Sequence, residues 1–296
     1  DGLEAFVLSY LKIMFQVDMI KFYSMLKGVY GHEKDIDTLF TVMGELDALI
    51  AVASFREYLP YYSIPKLREN QERRSGEQVF VSMKDLYHPL IPNPVANSIE
   101  IRGGILVTGS NASGKSTFLK TIALNVILSQ TIFTCISHTY EGDYLKVMTS
   151  MALRDNLEGG ESYYIVEIKS LQRILEECKK DQPVLCIVDE VLRGTNTIER
   201  IAASSRILKY LQRPEVLPLA ATHDIELSYI LEDCYTNYHF EEEIIDHDVL
   251  FNYQLKKGRA TTRNAIRLLE MIGYDKKIVT EAQQAAQKFE KTGVWE

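Results

Sequence analysis

One short stretch decides the fold of this chain, Gly109-Ser110-Asn111-Ala112-Ser113-Gly114-Lys115-Ser116-Thr117. Its glycines, lysine and hydroxyl residue have the spacing of a phosphate-binding loop. An apolar strand is predicted just before it, over residues 105–108, and a helix with apolar periodicity just after it, over 116–129. Glycine lets the backbone turn tightly enough for its N–H groups to face an anion, and the helix adds its positive N-terminal end. The pattern therefore predicts a nucleotide-binding loop rather than a chance glycine-rich turn.

The loop also carries side chains suited to a nucleotide. Lys115 would neutralise the charge of the β- and γ-phosphates, and the hydroxyl of Ser116 would hold Mg²⁺. We therefore expect ATP with Mg²⁺ as the ligand. The nucleotide-binding candidates of the loop are Gly109, Ser110, Asn111, Ala112, Ser113, Gly114, Lys115, Ser116 and Thr117.

Two carboxylates follow a second apolar run. Residues 184–188 are typical of a buried parallel strand, and Asp189 and Glu190 come directly after them. Asp189 would reach the Mg²⁺ ion, and Glu190 would orient and deprotonate water for attack on the γ-phosphate. Such a pair alone fits a solvated loop, but its place after a buried strand favours catalysis. The second carboxylate favours a hydrolase over a nucleotide kinase.

A histidine follows a third apolar run, over residues 217–221. The run ends in Ala220, Ala221, Thr222 and His223. A histidine at the end of a strand beside the phosphate-binding loop can bond the γ-phosphate and sense its hydrolysis. A single histidine is commonly structural, but the spacing after the two carboxylates favours the sensor interpretation.

The order of elements predicts the fold class. Residues 1–58 have a helical period with broad apolar stripes, which usually pack against other helices. A charged, proline-containing stretch from Pro60 to Glu77 is predicted to be a solvated linker. Beyond it, short strands alternate with helices, which predicts an α/β P-loop domain with a parallel sheet covered on both faces. The remaining predicted strands are 79–81, 98–101, 144–152, 235–240 and 249–255, and the remaining helices are 163–179, 198–211, 265–272 and 276–289.

Composition limits the function. The 296 residues are 46% hydrophobic and 25% charged with a formal net charge of −8, which is ordinary for a globular protein and weakens the case for direct nucleic-acid contact. Four scattered cysteines predict reduced thiols. Lys12, Asp18 and Lys21 interrupt the most apolar stretch, so we expect no membrane contact and a cytoplasmic location. Because the chain starts at Asp1 in a helical pattern, we expect a fragment of a longer protein.

Taken together, these residues resemble the MutS family of ABC-like ATPases. The resemblance extends from about Leu46 to Ala286 and joins several short motifs in the family's order. The matching segments are the phosphate-binding loop, residues 189–197 (D-E-x-x-R-G-T-x-T), Thr222-His223, the dimer-crossing loop at 155–162 with its helix, Tyr87-His88-Pro89 and Ala96-Asn97 beside the adenine, and the lever-like residues 45–54.

The resemblance implies an α/β, ABC-ATPase-like P-loop fold that acts as a homodimer with composite ATP sites. Residues 1–76 would be a helical lever remnant with a linker, 77–260 the ATPase domain, and 261–296 the dimerisation helices. Ser162 would approach the γ-phosphate of the other subunit, although a helix N-cap also explains it. The implied roles are catalytic for Glu190, His223 and Ser162, nucleotide-binding for His88 and Asn97, and metal-binding for Ser116 and Asp189.

The chain also departs from the family. Ser110-Asn111-Ala112-Ser113 stands where typical members have Pro-Asn-Met-x, which indicates a divergent paralogue. Phe55-Arg56-Glu57 is the one candidate for the mismatch-reading wedge and lies in a helical pattern, so we expect no mismatch reading here. DNA would be bound through regions outside this chain. The alternatives are an ATP-gated dimerisation module with little hydrolysis and an ABC-transporter ATPase, which the missing L-S-G-G-Q motif disfavours.

Overall fold

A computed structural model describes residues 2–69, 72–74, 76–110, 113–151, 163–245, 248–260 and 265–293. Contacts divide the chain into two compact units, Asp1–Tyr58 and Leu59–Glu296. The division into lever remnant, ATPase domain and dimerisation helices stays a prediction.

The N-terminal unit is helical, as predicted. It consists of α1 (Gly2–Met14), α2 (Val17–Val29) and α3 (Glu33–Tyr58). The helices α2 and α3 have no buried residue, because nothing in the described part of this unit covers them, so the packing of their apolar stripes against other helices stays a prediction. By length and composition α3 could cross a membrane, but buried helices of other proteins meet the same criterion. The predicted cytoplasmic location without membrane contact stays a prediction.

Strands and helices alternate in the larger unit. Its strands are β1 (Lys66–Arg68), β2 (Val81–Leu86), β3 (Asn97–Ile101), β4 (Gly104–Thr108), β5 (Thr139–Asp143), β6 (Lys146–Ser150), β7 (Val184–Asp189), β8 (Val216–Thr222), β9 (Tyr235–Ile245) and β10 (Asp248–Lys257). Its helices are α4 (Lys115–Thr131), α5 (Tyr163–Glu177), α6 (Thr197–Tyr210), α7 (Ile225–Ile230), α8 (Ala265–Ile272) and α9 (Lys276–Thr292).

The main sheet has six strands in the order β10-β9-β4-β8-β7-β6. Every neighbouring pair is parallel except β10 with β9. Every residue of β4 and β8 is buried, which is why both read as unbroken apolar runs. The predicted parallel sheet is confirmed, and it places the ends of β4, β8 and β7 side by side.

The main sheet is covered on both faces, as predicted. Ile105 and Val107 of β4 belong to one apolar cluster, which includes Phe118 and Ile122 of α4. Leu106 points into the opposite cluster, which holds residues of α5, α6 and α7. Each fully buried aliphatic side chain of this kind stabilises the fold by about 1.5–3 kcal/mol. The two clusters therefore hold the strand ends rigidly in place.

A second, four-stranded sheet of order β1-β5-β2-β3 was not predicted. The strand predicted over 144–152 corresponds to β6 alone, and no predicted strand covers β5. The strand predicted over 79–81 begins only at Val81. β5 pairs with β1 and β2, whereas β6 pairs with β7 of the main sheet. Two strands that follow each other in the sequence thus belong to different sheets, which alternation along the sequence does not reveal.

The predicted solvated linker is also wrong at Arg68. Its guanidinium donates to both carboxylate oxygens of Asp143, at 2.6 and 2.9 Å, and to Glu77 at 2.5 Å. Asp143 is 1% exposed and also accepts the Phe80 amide. A buried carboxylate needs a charged partner, so this first residue of the charged run belongs to the second sheet, where Arg68 of β1 pairs with Asp143 of β5.

Candidate nucleotide site

Three predicted segments meet at one edge of the main sheet. The phosphate-binding loop follows β4, the two carboxylates end β7 and begin the next turn, and the histidine follows β8. Because these three strands are parallel neighbours, their carboxyl ends lie at the same edge of the sheet, where a cleft lies beside the loop and the carboxylates. His223 does not line this cleft but lies next to Glu190. The cleft has a volume of about 760 Å³, and loop residues and both carboxylates line it.

The loop holds its lysine inside the cleft. Lys115 is 5% exposed, and its Nζ donates to the carbonyls of Gly109 at 2.8 Å and Ser110 at 2.7 Å. Gly109 has a φ of 149°, and a Cβ there would lie 2.8 Å from the Ser113 hydroxyl. Gly114 has a φ of 103° and forms the N-cap of α4. Only glycine suits both positions, and the loop therefore presents its backbone to the cleft.

Charge in the cleft is balanced around Lys115. Burial lowers the pKa of Lys115, while the nearby carboxylates of Glu190, Asp189 and Glu242 oppose that shift. Glu242 lies on β9 and accepts a hydrogen bond from the Ser110 hydroxyl. A partly desolvated ammonium group favours an anion that brings negative charge close to it.

Glu190 sits in a strained turn and has two cationic neighbours. Its φ of 55° is unusual for a residue other than glycine. Its carboxylate pairs with the Nε of Arg193, and its other oxygen lies 3.5 Å from Nδ1 of His223. The bond with His223 lowers the pKa of Glu190, with Arg193 and Lys115 adding to the effect against burial. Glu190 is therefore an ionised carboxylate facing the cleft.

The polar groups beside the loop fit a magnesium ion bound together with phosphates. In the part of the chain that the structure describes, no group of three or more His, Cys, Asp and Glu residues could hold an ion alone. Mg²⁺ at nucleotide sites commonly takes one or two protein ligands and completes its shell with phosphate and water. Asp189 has a buried Oδ1 without a hydrogen-bond partner, and Ser116 lines the same cleft.

The far wall of the cleft contains both residues predicted to border the adenine. His88 and Asn97 line it, and burial lowers the pKa of His88. The Asn97 amide is already engaged, because it accepts from Leu255 N at 2.7 Å and donates to the carbonyl of Tyr253 at 3.0 Å. Asn97 thus ties β3 to β10 and positions Tyr253, which also lines the cleft.

The sequence does not indicate a site role for several residues in or beside the cleft. Tyr253 comes from an irregular part of β10, and Glu242 faces the loop from β9, so neither has a local signal. Arg193 lies inside the D-E-x-x-R motif, which alone does not predict its ion pair with Glu190. Ser162, Asn111 and Ala112 were predicted site residues and lie outside the described residues.

Comparison with known proteins agrees with this geometry. Residues 105–290, more than half of the chain, match the family model for MutS domain V. The sheet order, the loop and the paired carboxylates define a domain of the P-loop ATPase type. The chain belongs to the MutS family, and the expected family membership is confirmed.

The similar curated proteins are much longer than this chain. It is 28% identical to the DNA mismatch repair protein MSH3 of Meyerozyma guilliermondii over 289 residues, which cover 90% of this chain and 29% of that protein. It is 28% identical to the DNA mismatch repair protein MutS of Thermus thermophilus, over 82% of this chain and 29% of that protein. MutS protein homolog 4 of Homo sapiens is 28% identical over 88% of this chain and 28% of its own length.

Proposed function

We propose that this chain binds ATP with Mg²⁺ and hydrolyses it, as the ATPase part of a MutS-like DNA-repair or DNA-processing protein. One observation carries the proposal. The buried ammonium of Lys115 and the carboxylates of Asp189 and Glu190 line a single cleft beside the N-terminus of α4. Membership of the MutS family and the repair functions named for its relatives support the wider role.

Binding would exchange internal contacts for contacts with phosphate. Lys115 would leave the carbonyls of Gly109 and Ser110 and neutralise phosphate oxygens, while the first amides of α4 face the same anion. Ser116 and Asp189 would hold Mg²⁺, which supplies positive charge to the phosphates when bound. The unpartnered hydroxyl of Ser113 supports this proposal, since a buried polar group requires a partner.

Hydrolysis would depend on Glu190. An ionised carboxylate at the cleft can hold a water molecule for in-line attack and accept its proton. His223 would stay close to the γ-phosphate and to Glu190, from which it is 3.5 Å distant. The ion pair of Glu190 with Arg193 favours the second candidate function, an ATP-gated dimerisation module, because a carboxylate paired with Arg193 is less free to take a proton. Measured turnover separates the two functions.

We further propose that the chain acts as a homodimer with composite sites. Ser162 would complete the partner's site, α8 and α9 would belong to the dimerisation element, and α1 to α3 would belong to a lever. DNA would be contacted through regions outside this chain. The chain spans about 29% of the length of its relatives, so these roles depend on the whole protein.

The first experiment tests nucleotide binding. Lys115→Ala removes the cation of the cleft, and we expect calorimetry with ATP and Mg²⁺ to detect no tight binding. Lys66→Ala removes an exposed lysine on β1 and should bind ATP as the unmodified chain does. Equal ATP affinity in both variants would contradict the assignment of the loop.

The second experiment separates binding from chemistry. Glu190→Gln keeps the shape of the side chain but cannot accept a proton, so ATP affinity should persist while hydrolysis slows by about 100-fold or more. Phosphate release measured at saturating ATP checks this. Turnover equal to that of the unmodified chain would assign the base to another residue.

A further inference from the structure

The turn after β7 has a shape that its own sequence does not favour. Glu190 and Leu192 have φ values of 55° and 59°, a region that residues other than glycine rarely occupy. Such a backbone persists only where the surroundings hold it. The turn carries Glu190 and Arg193, the carboxylate and guanidinium that pair at the cleft. What holds the turn therefore also sets the position of Glu190.

The holding contacts come from a buried carboxylate on α5. Glu167 is 2% exposed and accepts hydrogen bonds from the backbone amides of Leu192 at 2.5 Å and Arg193 at 3.1 Å. Its two oxygens thus bind two successive N–H groups of the turn. Burial raises the pKa of Glu167, although both amide bonds oppose that shift. The two hydrogen bonds from the backbone amides thus satisfy both oxygens of a carboxylate that is shielded from water.

Two further contacts fix the same turn. The amide of Glu190 donates to the carbonyl of Ala221 at 2.9 Å, which anchors the start of the turn to β8. Gly194 lies directly against α5, where an added Cβ would be 2.9 Å from the Cβ of Tyr164. The turn is thus held between β8 and α5, and Glu167 supplies the polar contacts on the α5 side.

We propose that Glu167 is a positioning residue for hydrolysis: by binding the Leu192 and Arg193 amides, it holds the turn so that Glu190 faces the cleft. Glu167 does not line the cleft and acts only through the turn. The proposal rests on the proposed ATPase function for its kinetic consequence, but the hold on the turn exists without nucleotide.

The test compares two carboxylates of the same helix in the full chain. Glu167→Gln keeps the size of the side chain but places an NH₂ group against one of the amides. Glu177→Gln is the matched control, since Glu177 is also nearly buried on α5 but bonds Lys146 and Lys180 away from the cleft. Gly194→Ala is a second variant, which pushes the turn away from α5 and leaves Glu167 intact.

Two measurements are made on each protein. For Glu167→Gln and Gly194→Ala we expect faster hydrogen exchange at the Leu192 and Arg193 amides without nucleotide. We also expect kcat about 10- to 100-fold lower with ATP affinity unchanged, since small displacements of a catalytic group have effects of this size. Glu177→Gln should match the unmodified chain in both measurements.

A merely structural role predicts a different pattern. Wild-type kcat in Glu167→Gln, or a loss of kcat only in proportion to lost ATP affinity, would overturn the proposal. If Glu167→Gln does not fold, wild-type kcat in Gly194→Ala would overturn it instead. Should the unmodified chain bind ATP without hydrolysing it, the proposed hydrolysis fails. Hydrogen exchange then decides alone, and unchanged exchange at both amides overturns the role of Glu167.

Discussion

His223 and Glu190 form the contact that most directly tunes the chemistry of the cleft. Nδ1 of His223 lies 3.5 Å from a carboxylate oxygen of Glu190, and the side chain of the histidine is more exposed than that of the glutamate. This contact is the largest cause of the lowered pKa of Glu190. Glu190 is therefore expected to remain ionised at a pH where an ordinary glutamate has begun to take up a proton.

That contact predicts how hydrolysis depends on pH. His223→Ala removes the group that lowers the pKa of Glu190, so the acidic limb of the kcat/KM profile should move to higher pH. His223→Gln retains a hydrogen-bond donor, and we expect it to move the limb less. Rates measured between about pH 4 and pH 8, with circular dichroism at each pH to confirm folding, check the order of the three limbs. A limb that stays in place in His223→Ala contradicts the proposed coupling.

At the scale of elements, an ion pair joins α6 to the turn that carries His223. The guanidinium of Arg200 donates to both oxygens of Asp224, at 2.8 and 2.7 Å, and both side chains are largely buried. Asp224 raises the pKa of Arg200 and forms the N-cap of α7. The pair thus connects two helices beside the end of β8.

Breaking this pair should destabilise the fold. Arg200→Ala leaves the carboxylate of Asp224 buried without its cation, and we expect the free energy of unfolding to fall by about 3–5 kcal/mol. Arg206 lies on the same helix but is exposed, so Arg206→Ala should change it by less than about 0.5 kcal/mol. Urea denaturation of both variants measures the difference. Equal losses would mean that the Arg200 pair contributes nothing specific.

The elements also show which features a sequence can reveal. The loop, the carboxylates and the histidine were predictable because each follows an apolar run within a few residues. The second sheet was not, because Arg68 meets Asp143 across 75 positions. Asn97 meets Leu255 across 158 positions, so the place of Tyr253 in the cleft was equally hidden. Local sequence patterns thus predict the phosphate-binding part of the site, whereas the rest of the site depends on contacts between residues far apart in the sequence.

At the scale of the whole molecule, the proposed composite sites divide each reaction between two copies of the chain. Lys115 and Glu190 would serve one nucleotide, and Ser162 would serve the nucleotide of the partner. Each single substitution at these positions in a homodimer therefore affects both sites. Mixed dimers distinguish contributions within a subunit from contributions across the interface.

The mixing experiment combines Ser162→Ala chains with Lys115→Ala chains. If Ser162 acts across the interface, a mixed dimer has one site with both defects and one intact site, and ATP hydrolysis should return in the mixture. If Ser162 acts within its own chain, both sites remain defective. Light scattering on the same samples confirms that mixed dimers form. A helix N-cap role predicts about 1 kcal/mol less stability in Ser162→Ala with nearly normal hydrolysis.

The hydrogen bonds that Asn97 of β3 makes to β10 have a consequence for mutational tolerance. The side-chain amide of Asn97 accepts a hydrogen bond from the Leu255 N–H and donates one to the Tyr253 carbonyl. Both bonds lie where the pairing of β10 with β9 is irregular. Only Asn and Gln carry such a donor and acceptor on one amide group, and Gln is one methylene longer. A saturation scan should therefore find position 97 nearly as intolerant as position 115. Positions at this cleft that do not tolerate substitution would then be of two kinds. Some would bind the nucleotide, and others, such as Asn97, make hydrogen bonds to backbone groups where the strand pairing is irregular.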